Sequence, residues 1–482
     1  MPRLTRREFL YGTGTGLALG ALPQPGSARR GWYDEVRVAC VGLRGRGKDH
    51  LKSLSALAGV RVVALVDVDR QVLDRAVQEF GVPVDAYADV RKVLERADVD
   101  AVSIATPNHW HSLQAIWACQ AGKDVYVEKP VSHNIHEGSQ LVAAARKYRR
   151  IVQAGTQCRS SQGIAEGIAW LREGNLGKIQ LARGLCYKPR QSIGKVAGDQ
   201  PLPAHVDYEL WTGPAPLKPL HRKSLHYDWH WDFDTGNGDV GNQGIHQMDL
   251  ARWALGADCL PRRTVSVGGR LGYDDDGNTP NSQIVWHDYE GAPLVFEVRG
   301  LPHDLEAQKG DWGKGMDDYL GSRIGVIVHC EGGTLRIPDY TRAIAYDKDG
   351  KEIRRFEGAC DHFANFIDAV RSRKPADLRA EVREGHLSSA LCHLGNVSHR
   401  LGQQCGEAEI GKTLGAFAGA AEAGERLCAH LRKNGVDLDR DRLRLGATLT
   451  LDVAKERFVD NAAANRMATR EYRAGFELPE QI

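Results

Sequence analysis

Apolar residues follow two regimes along the chain. In the first, short continuous runs recur at Val36–Val41, Val60–Val66, 101–105, Asp124–Val127 and 151–154. Runs of four to seven residues rich in valine and isoleucine are too short for helices, and they match strands buried on both faces of a parallel sheet. Helical stretches separate them, beginning with 48–58. The strand–turn–helix rhythm predicts a doubly wound α/β unit over residues 34–157.

From residue 158 the pattern changes. Residues 179–187 alternate enough to form a strand, and further strands are expected near 264–269, 282–288, 293–299, 324–330 and 342–346. Polar or glycine-containing turns between them predict an antiparallel-rich sheet in a second α/β unit spanning 158–410. Helices are expected at 361–372 and 381–402. His386, His393 and His399 recur along the second of these and are assigned to a surface or interface. Residues 411–482 form a helical extension, with an amphipathic helix at 414–431 and a charged helix at 450–473, wrapping the protein or a neighbouring subunit.

The composition is that of a globular protein: 482 residues, 42% hydrophobic and 26% charged, with a formal charge of only +2. That balance excludes a disordered chain and one that coats nucleic acid. No run of 18 apolar residues is present, so no membrane span is expected. The ten cysteines include no Cys-x-x-Cys pair and suit neither a zinc finger nor a disulfide scaffold. Residues 1–28 read as an address: Arg6-Arg7 precede a weakly apolar, glycine-rich stretch and then small residues at Gly26, Ser27 and Ala28. They resemble a bacterial twin-arginine export signal, which predicts a periplasmic or otherwise exported protein.

Chemistry enters at the ends of the early strands. Val36–Val41 runs into Gly42-Leu43-Arg44-Gly45-Arg46-Gly47, and Val60–Val66 ends at Asp67. Strand, glycine turn, helix, strand and acid, in that order, form the context of a dinucleotide-binding motif. The glycines let the backbone approach a pyrophosphate at a helix N-terminus. The spacing is G-x-x-G-x-G, with Arg44 or Arg46 available to phosphate. Asp67 would accept from a ribose 2′-hydroxyl and repel a 2′-phosphate, which favours NAD over NADP. The other reading of Asp67 is a cap for the helix beginning near Asp69. Thr106, Pro107, Asn108 and His109 follow the next strand, Glu128 and Lys129 the one after, and Gln157 the last, so all should face one crevice. His109 and His111 lack a third ligand, and no metal is expected there.

Ala-Thr-Pro-Asn-His-Trp-His (105–111), Glu-Lys-Pro (128–130) and Gly-Asn-Gln-Gly-Ile-His-Gln-Met-Asp (241–249), in this order after a glycine turn, resemble the glucose–fructose oxidoreductase/inositol dehydrogenase (Gfo/Idh/MocA) family. The resemblance implies a Rossmann domain followed by an α/β domain with a large, open-faced sheet that mediates homodimers or homotetramers. It also implies a bound nicotinamide cofactor and a carbohydrate or cyclitol substrate. Lys129 then matches the lysine beside the nicotinamide, where an ammonium stabilises a developing alkoxide. His246 matches the catalytic histidine, a base for the hydroxyl proton. Asn242 stands where the family usually has aspartate, which removes a charge beside that histidine; Asp249, one helical turn on, is a candidate substitute and substrate contact.

A substrate wall is expected from Lys188 and from the aromatic-rich loop containing Tyr227, Trp229 and Trp231. Those tryptophans equally suit anchoring the loop on the core. Export shapes the mechanism, because no soluble NAD pool recycles a cofactor outside the cytoplasm. Three functions follow: an oxidoreductase with retained NAD, a redox-neutral NAD-dependent glycoside-cleaving enzyme, and a carbohydrate-binding relative without chemistry.

Overall fold

The computed structural model describes residues 35–479 and 482; the export signal expected at 1–28 lies outside the described residues. Six strands form the first sheet: β1 (Val36–Val41), β2 (Val60–Val66), β3 (Asp85–Tyr87), β4 (Ala101–Ile104), β5 (Asp124–Val127) and β6 (Val152–Ala154). Their order is β3-β2-β1-β4-β5-β6, and every pairing is parallel. The strands are buried on both faces, which is why their sequences are continuous apolar runs rather than alternating ones. Helices α1 (Arg46–Ser55), α2 (Arg70–Phe80), α3 (Val90–Leu94), α4 (Asn108–Gln120) and α5 (Ile135–Lys147) connect them. This is a Rossmann fold, with its crevice beyond the carboxyl ends of β1 and β4.

The second unit contains α6 (Gln162–Arg172), β7 (Ile179–Tyr187), α7 (Tyr208–Thr212), α8 (Gly238–Asn242) and α9 (Gly244–Leu255). Strands β8 (Arg263–Gly269), β9 (Ser282–His287), β10 (Leu294–Arg299), β11 (Ile324–Cys330), β12 (Gly333–Ile337), β13 (Arg342–Asp347) and β14 (Glu352–Glu357) follow. The order β14-β13-β12-β11-β7-β10-β9-β8 is antiparallel except between β10 and β7. Helices α6, α9 and α11 (Val382–Arg400) cover one face through a core containing Ile168, Met248, Phe296 and Leu391. Helix α10 (His362–Ser372) returns to the Rossmann sheet and packs Phe363 and Phe366 against Val38 and Tyr126.

The C-terminal segment departs from the expected helices. The amphipathic stretch at 414–431 is interrupted: α12 (Glu407–Leu414) ends, Gly419 takes φ +75°, and α13 (Ala420–Lys433) begins. The charged stretch at 450–473 is not a helix. It contains β17 (Leu449–Asp452), β18 (Arg457–Phe458) and the short α14 (Ala462–Met467), after β15 (Gln403–Gln404) and β16 (Arg444–Leu445). Glu456 and Asp460, at φ +52° and +50°, turn the chain where a helix would have continued.

Over β8, β9 and β10, the face expected to be open is covered by the chain itself. Leu414, Leu427 and Leu431 pack on Val267, Ile284 and Val295, and Arg426 donates to Glu297 at 2.5 Å. The last residues then reach the Rossmann unit, where Phe476 meets Trp110 edge-on at 5.5 Å. His386, His393 and His399 are buried, not superficial: α11 is enclosed on all sides, and polarity along it does not mark a solvent face. His386 faces Glu456 at 2.9 Å, and His393 faces Ser132 at 3.1 Å. All ten cysteines are free thiols.

Candidate active site

A cavity of about 530 Å³ runs from the glycine turn, across the tips of β1, β4 and β5, to the start of α9. At one end the turn is forced by close approach. Gly42 sits at φ +80°, and a Cβ there would lie 2.7 Å from the carbonyl oxygen of Ala105. A Cβ on Gly47 would fall 1.8 Å from the Gly42 oxygen, so this glycine packs α1 against the turn and does not itself line the cavity. Gly45 caps α1 with no side-chain partner and nothing in front of it, leaving a helix N-terminus open to an anion. That cradle fits a dinucleotide pyrophosphate.

Asp67 does not cap α2. Asp69 does, accepting from the N–H groups of Gln71 and Val72. The Asp67 carboxylate accepts instead from the N–H of Leu43 at 2.8 Å and of Asp69 at 3.0 Å, pinning the glycine turn to the second strand. Burial pushes its pKa up to about 6. Arg46 also lines the cavity, with its Nε donating to Glu128 at 2.9 Å and its Nη1 to Asp49 at 3.1 Å. Glu128 also meets His50 at 3.1 Å and Gln157 Nε2 at 3.0 Å. With these partners it is held well below the ordinary carboxylate range despite burial.

Lys129, just after β5, and His246, on α9, come from different units and line the same cavity. Lys129 precedes a cis proline, and its ammonium donates to the carbonyl oxygen of Asn242 at 2.5 Å. The Asn242 contact is thus made by its backbone. Burial lowers the Lys129 pKa, opposed by the charge of Glu128. His246 is 4% exposed, and its Nδ1 has no hydrogen-bond partner. Burial, then the nearby Lys129 charge, lowers its pKa to about 3, so the imidazole is neutral. Tyr340 approaches its ring at 5.4 Å, a cavity residue absent from the sequence-based candidates.

Of the other candidates, Arg44, Thr106, Pro107, Asn108, Lys188, Tyr227 and Trp229 line the cavity. Three do not. His109 is buried between the carbonyl oxygens of Thr235 and Trp211, at 3.2 and 3.0 Å, where it joins the two units. Trp231 is buried under the Arg190 guanidinium, 4.9 Å from its ring, and anchors the loop. Asp249 lies a turn deeper along α9 than His246 and is taken by Arg159 at 2.8 Å and the Ser388 hydroxyl at 2.6 Å. It is fully buried and does not replace the missing carboxylate.

Residues 36–156 match the GFO/IDH/MocA oxidoreductase model for the NAD-binding Rossmann fold, and residues 177–324 match that family's C-terminal α/β model. The chain belongs to the GFO/IDH/MocA oxidoreductase family. Its NAD-binding domain is the one that forms the glycine cradle. Inositol 2-dehydrogenase 1 of Saccharopolyspora erythraea is 36% identical over 47% of this chain and 56% of its own length. A glycosyl hydrolase family 109 protein of the same organism is 32% identical over 36% of this chain and 40% of its own length. The chain thus spans about half the length of these curated relatives. Among solved structures, the WlbA dehydrogenase of Bordetella pertussis in complex with NADH and UDP-GlcNAcA shares the fold, with TM-score 0.56 and 18% identity over 76% of this chain and 97% of that one.

Proposed function

We propose that the protein oxidises a secondary hydroxyl of a sugar, cyclitol or glycoside with a retained NAD. The observation that carries this reading is the meeting of Lys129 and His246 in a cavity continuous with the glycine cradle and Asp67. When bound, NAD supplies the hydride acceptor. The chain's own groups handle the proton. Two N–H bonds of Lys129 remain free to hold the substrate oxygen and stabilise it as it gains charge. The neutral His246 imidazole, which lines the cavity, accepts the hydroxyl proton. An imidazole with a pKa near 3 is a weak base, so it takes that proton only as departure of hydride acidifies the hydroxyl.

Retention is supported by a strap. Residues 200–237 leave the second unit and cross to the Rossmann crevice: Arg70 N–H donates to the His205 oxygen at 2.8 Å, Asp207 N–H donates to the Val68 oxygen at 3.1 Å, and His226 meets Asp69 at 2.8 Å. Trp211, His226, Tyr227 and Trp229 then wall the cavity from the strap side. A held cofactor suits an exported enzyme, as the twin-arginine pattern at 1–28 suggests, because outside the cytoplasm it cannot exchange with a soluble pool. The glycosyl hydrolase family 109 relative supports a second reading, in which the hydride is returned within one turnover and a glycosidic bond is cleaved.

The test is to add polyols, free sugars and glycosides to the purified, NAD-containing protein while following the near-ultraviolet band of reduced nicotinamide. A lasting band supports oxidation; aglycone release without one supports the second reading. Lys129→Met and His246→Ala should each lower turnover by about 10²–10³-fold while leaving NAD bound. Undiminished turnover in either variant removes that residue from the mechanism, and a protein that takes up no NAD ends both readings.

A further inference from the structure

Among the described residues, the substrate end of the cavity holds two ammonium groups and no free carboxylate. Lys129 donates only to the Asn242 carbonyl, at 2.5 Å, and Lys188 only to the Gln243 side-chain oxygen, at 3.2 Å. Each neighbouring carboxylate already has an arginine: Glu128 has Arg46, and Asp239 has Arg190 in a bidentate pair at 2.6 and 2.7 Å. Charged donors satisfied by neutral oxygens alone favour an incoming anion, because that anion recovers desolvation already incurred.

Geometry says where the anion sits. Gln243 is 7% exposed, and its amide orientation is fixed by chemistry, because a lysine can only donate. Its oxygen therefore faces Lys188, and its Nε2 donates to the Tyr340 hydroxyl at 3.1 Å. Tyr340, having accepted there, keeps its own O–H to donate in the cavity it lines. The two ends of one amide thus tie the Lys188 ammonium and the Tyr340 hydroxyl to the same stretch of the cavity wall. Two such donors suit the two oxygens of one carboxylate. No unpaired guanidinium stands with them, as recognition of a phosphate would favour.

Resting on the proposed sugar oxidation, we infer that the substrate is a sugar acid whose carboxylate is held by Lys188 and Tyr340 while its reacting hydroxyl lies between Lys129 and His246. Lys188 and Tyr340 are then specificity residues, and Gln243 positions them.

Calorimetric titration of the NAD-loaded full chain with matched pairs, glucuronate against glucose and gluconate against glucitol, tests this. The acid of at least one pair should bind about tenfold or more tightly than its neutral partner, and the preference should shrink as salt is added. Lys188→Met should bring each pair within about twofold, and the conservative Tyr340→Phe should weaken acid binding several-fold, both with NAD content and melting temperature retained. Neutral partners binding as well as the acids, no binding of either member, or a preference that survives Lys188→Met overturns the inference. Reduction of NAD by neutral sugars alone would sink this assignment and leave the oxidation standing. Tight acid binding with no reduction would do the reverse.

Discussion

His287 shows how a single side chain can be stable in place without contributing favourable contacts of its own. It is fully buried in β9, and neither ring nitrogen has a partner. Burial lowers its pKa to about 3, so it stays neutral. An unsatisfied buried polar group costs about 1–3 kcal/mol, whereas an apolar group of similar shape does not incur that cost. His287→Leu should therefore raise the midpoint of urea unfolding by about 1 kcal/mol of stability, with no change in NAD content. A lower midpoint would mean that the imidazole packs better than its hydrogen bonding implies. His246 shares the neutral state and the orphaned nitrogen but faces the cavity, which separates a group held ready from one merely enclosed.

Elements differ in how far their sequences disclose them. The Rossmann strands other than β3 were legible because burial on both faces leaves uninterrupted apolar runs, β7 was legible from its alternation, and β8 to β11 and β13 from the polar or glycine turns between them. Missed were β3, β12, β14 and the short β15 to β18. β14 (Glu352–Glu357) is exposed at all but Phe356 and reads as surface, and β12 is a short hairpin partner with Thr334 and Arg336 facing outward. The site was legible where it lies at strand ends, as with Lys129. It was illegible at Tyr340, whose only local context is a loop beyond β12. The strap and the covering helix make separable predictions. His226→Ala removes one contact to Asp69 and leaves the α2 cap intact, so stopped-flow release of NAD should quicken by about tenfold. Unchanged release would mean that the strap does not hold the cofactor. Leu427→Ala, on the buried side of α13, should cost about 2–5 kcal/mol in urea unfolding without changing NAD release, because the outer sheet face is remote from the crevice.

At the scale of the whole molecule, the buried imidazoles set the response to acid. His109, His246, His287 and His393 are held near pKa 3 and His362 and His399 near 4, in each case chiefly by burial. In the unfolded chain each would titrate at about 6.5. Between these values the unfolded state binds protons that the folded state refuses, so stability rises with pH there and falls on acidification. The contribution of these six groups is intact above about pH 6.5 and is lost progressively down to about 4 for His362 and His399 and about 3 for the other four, each changing by up to about 1.4 kcal/mol per pH unit. Asp67 works in the opposite sense: its folded pKa of about 6 lies above its unfolded value, so it gives up stability as pH rises through that range. Burial raises the Glu137 and Asp228 carboxyls as well, but it also lowers His230 and His329, to about 3 and 4, so the imidazoles outnumber the raised carboxyls and dominate. The melting temperature should hold between pH 8 and 7 and then fall steeply below 6, with proton uptake on unfolding measurable by calorimetry in buffers of different ionisation enthalpy. A melting temperature that stays level down to pH 5 would show that these imidazoles are already protonated in the fold, and would remove the neutral His246 on which the proton transfer depends.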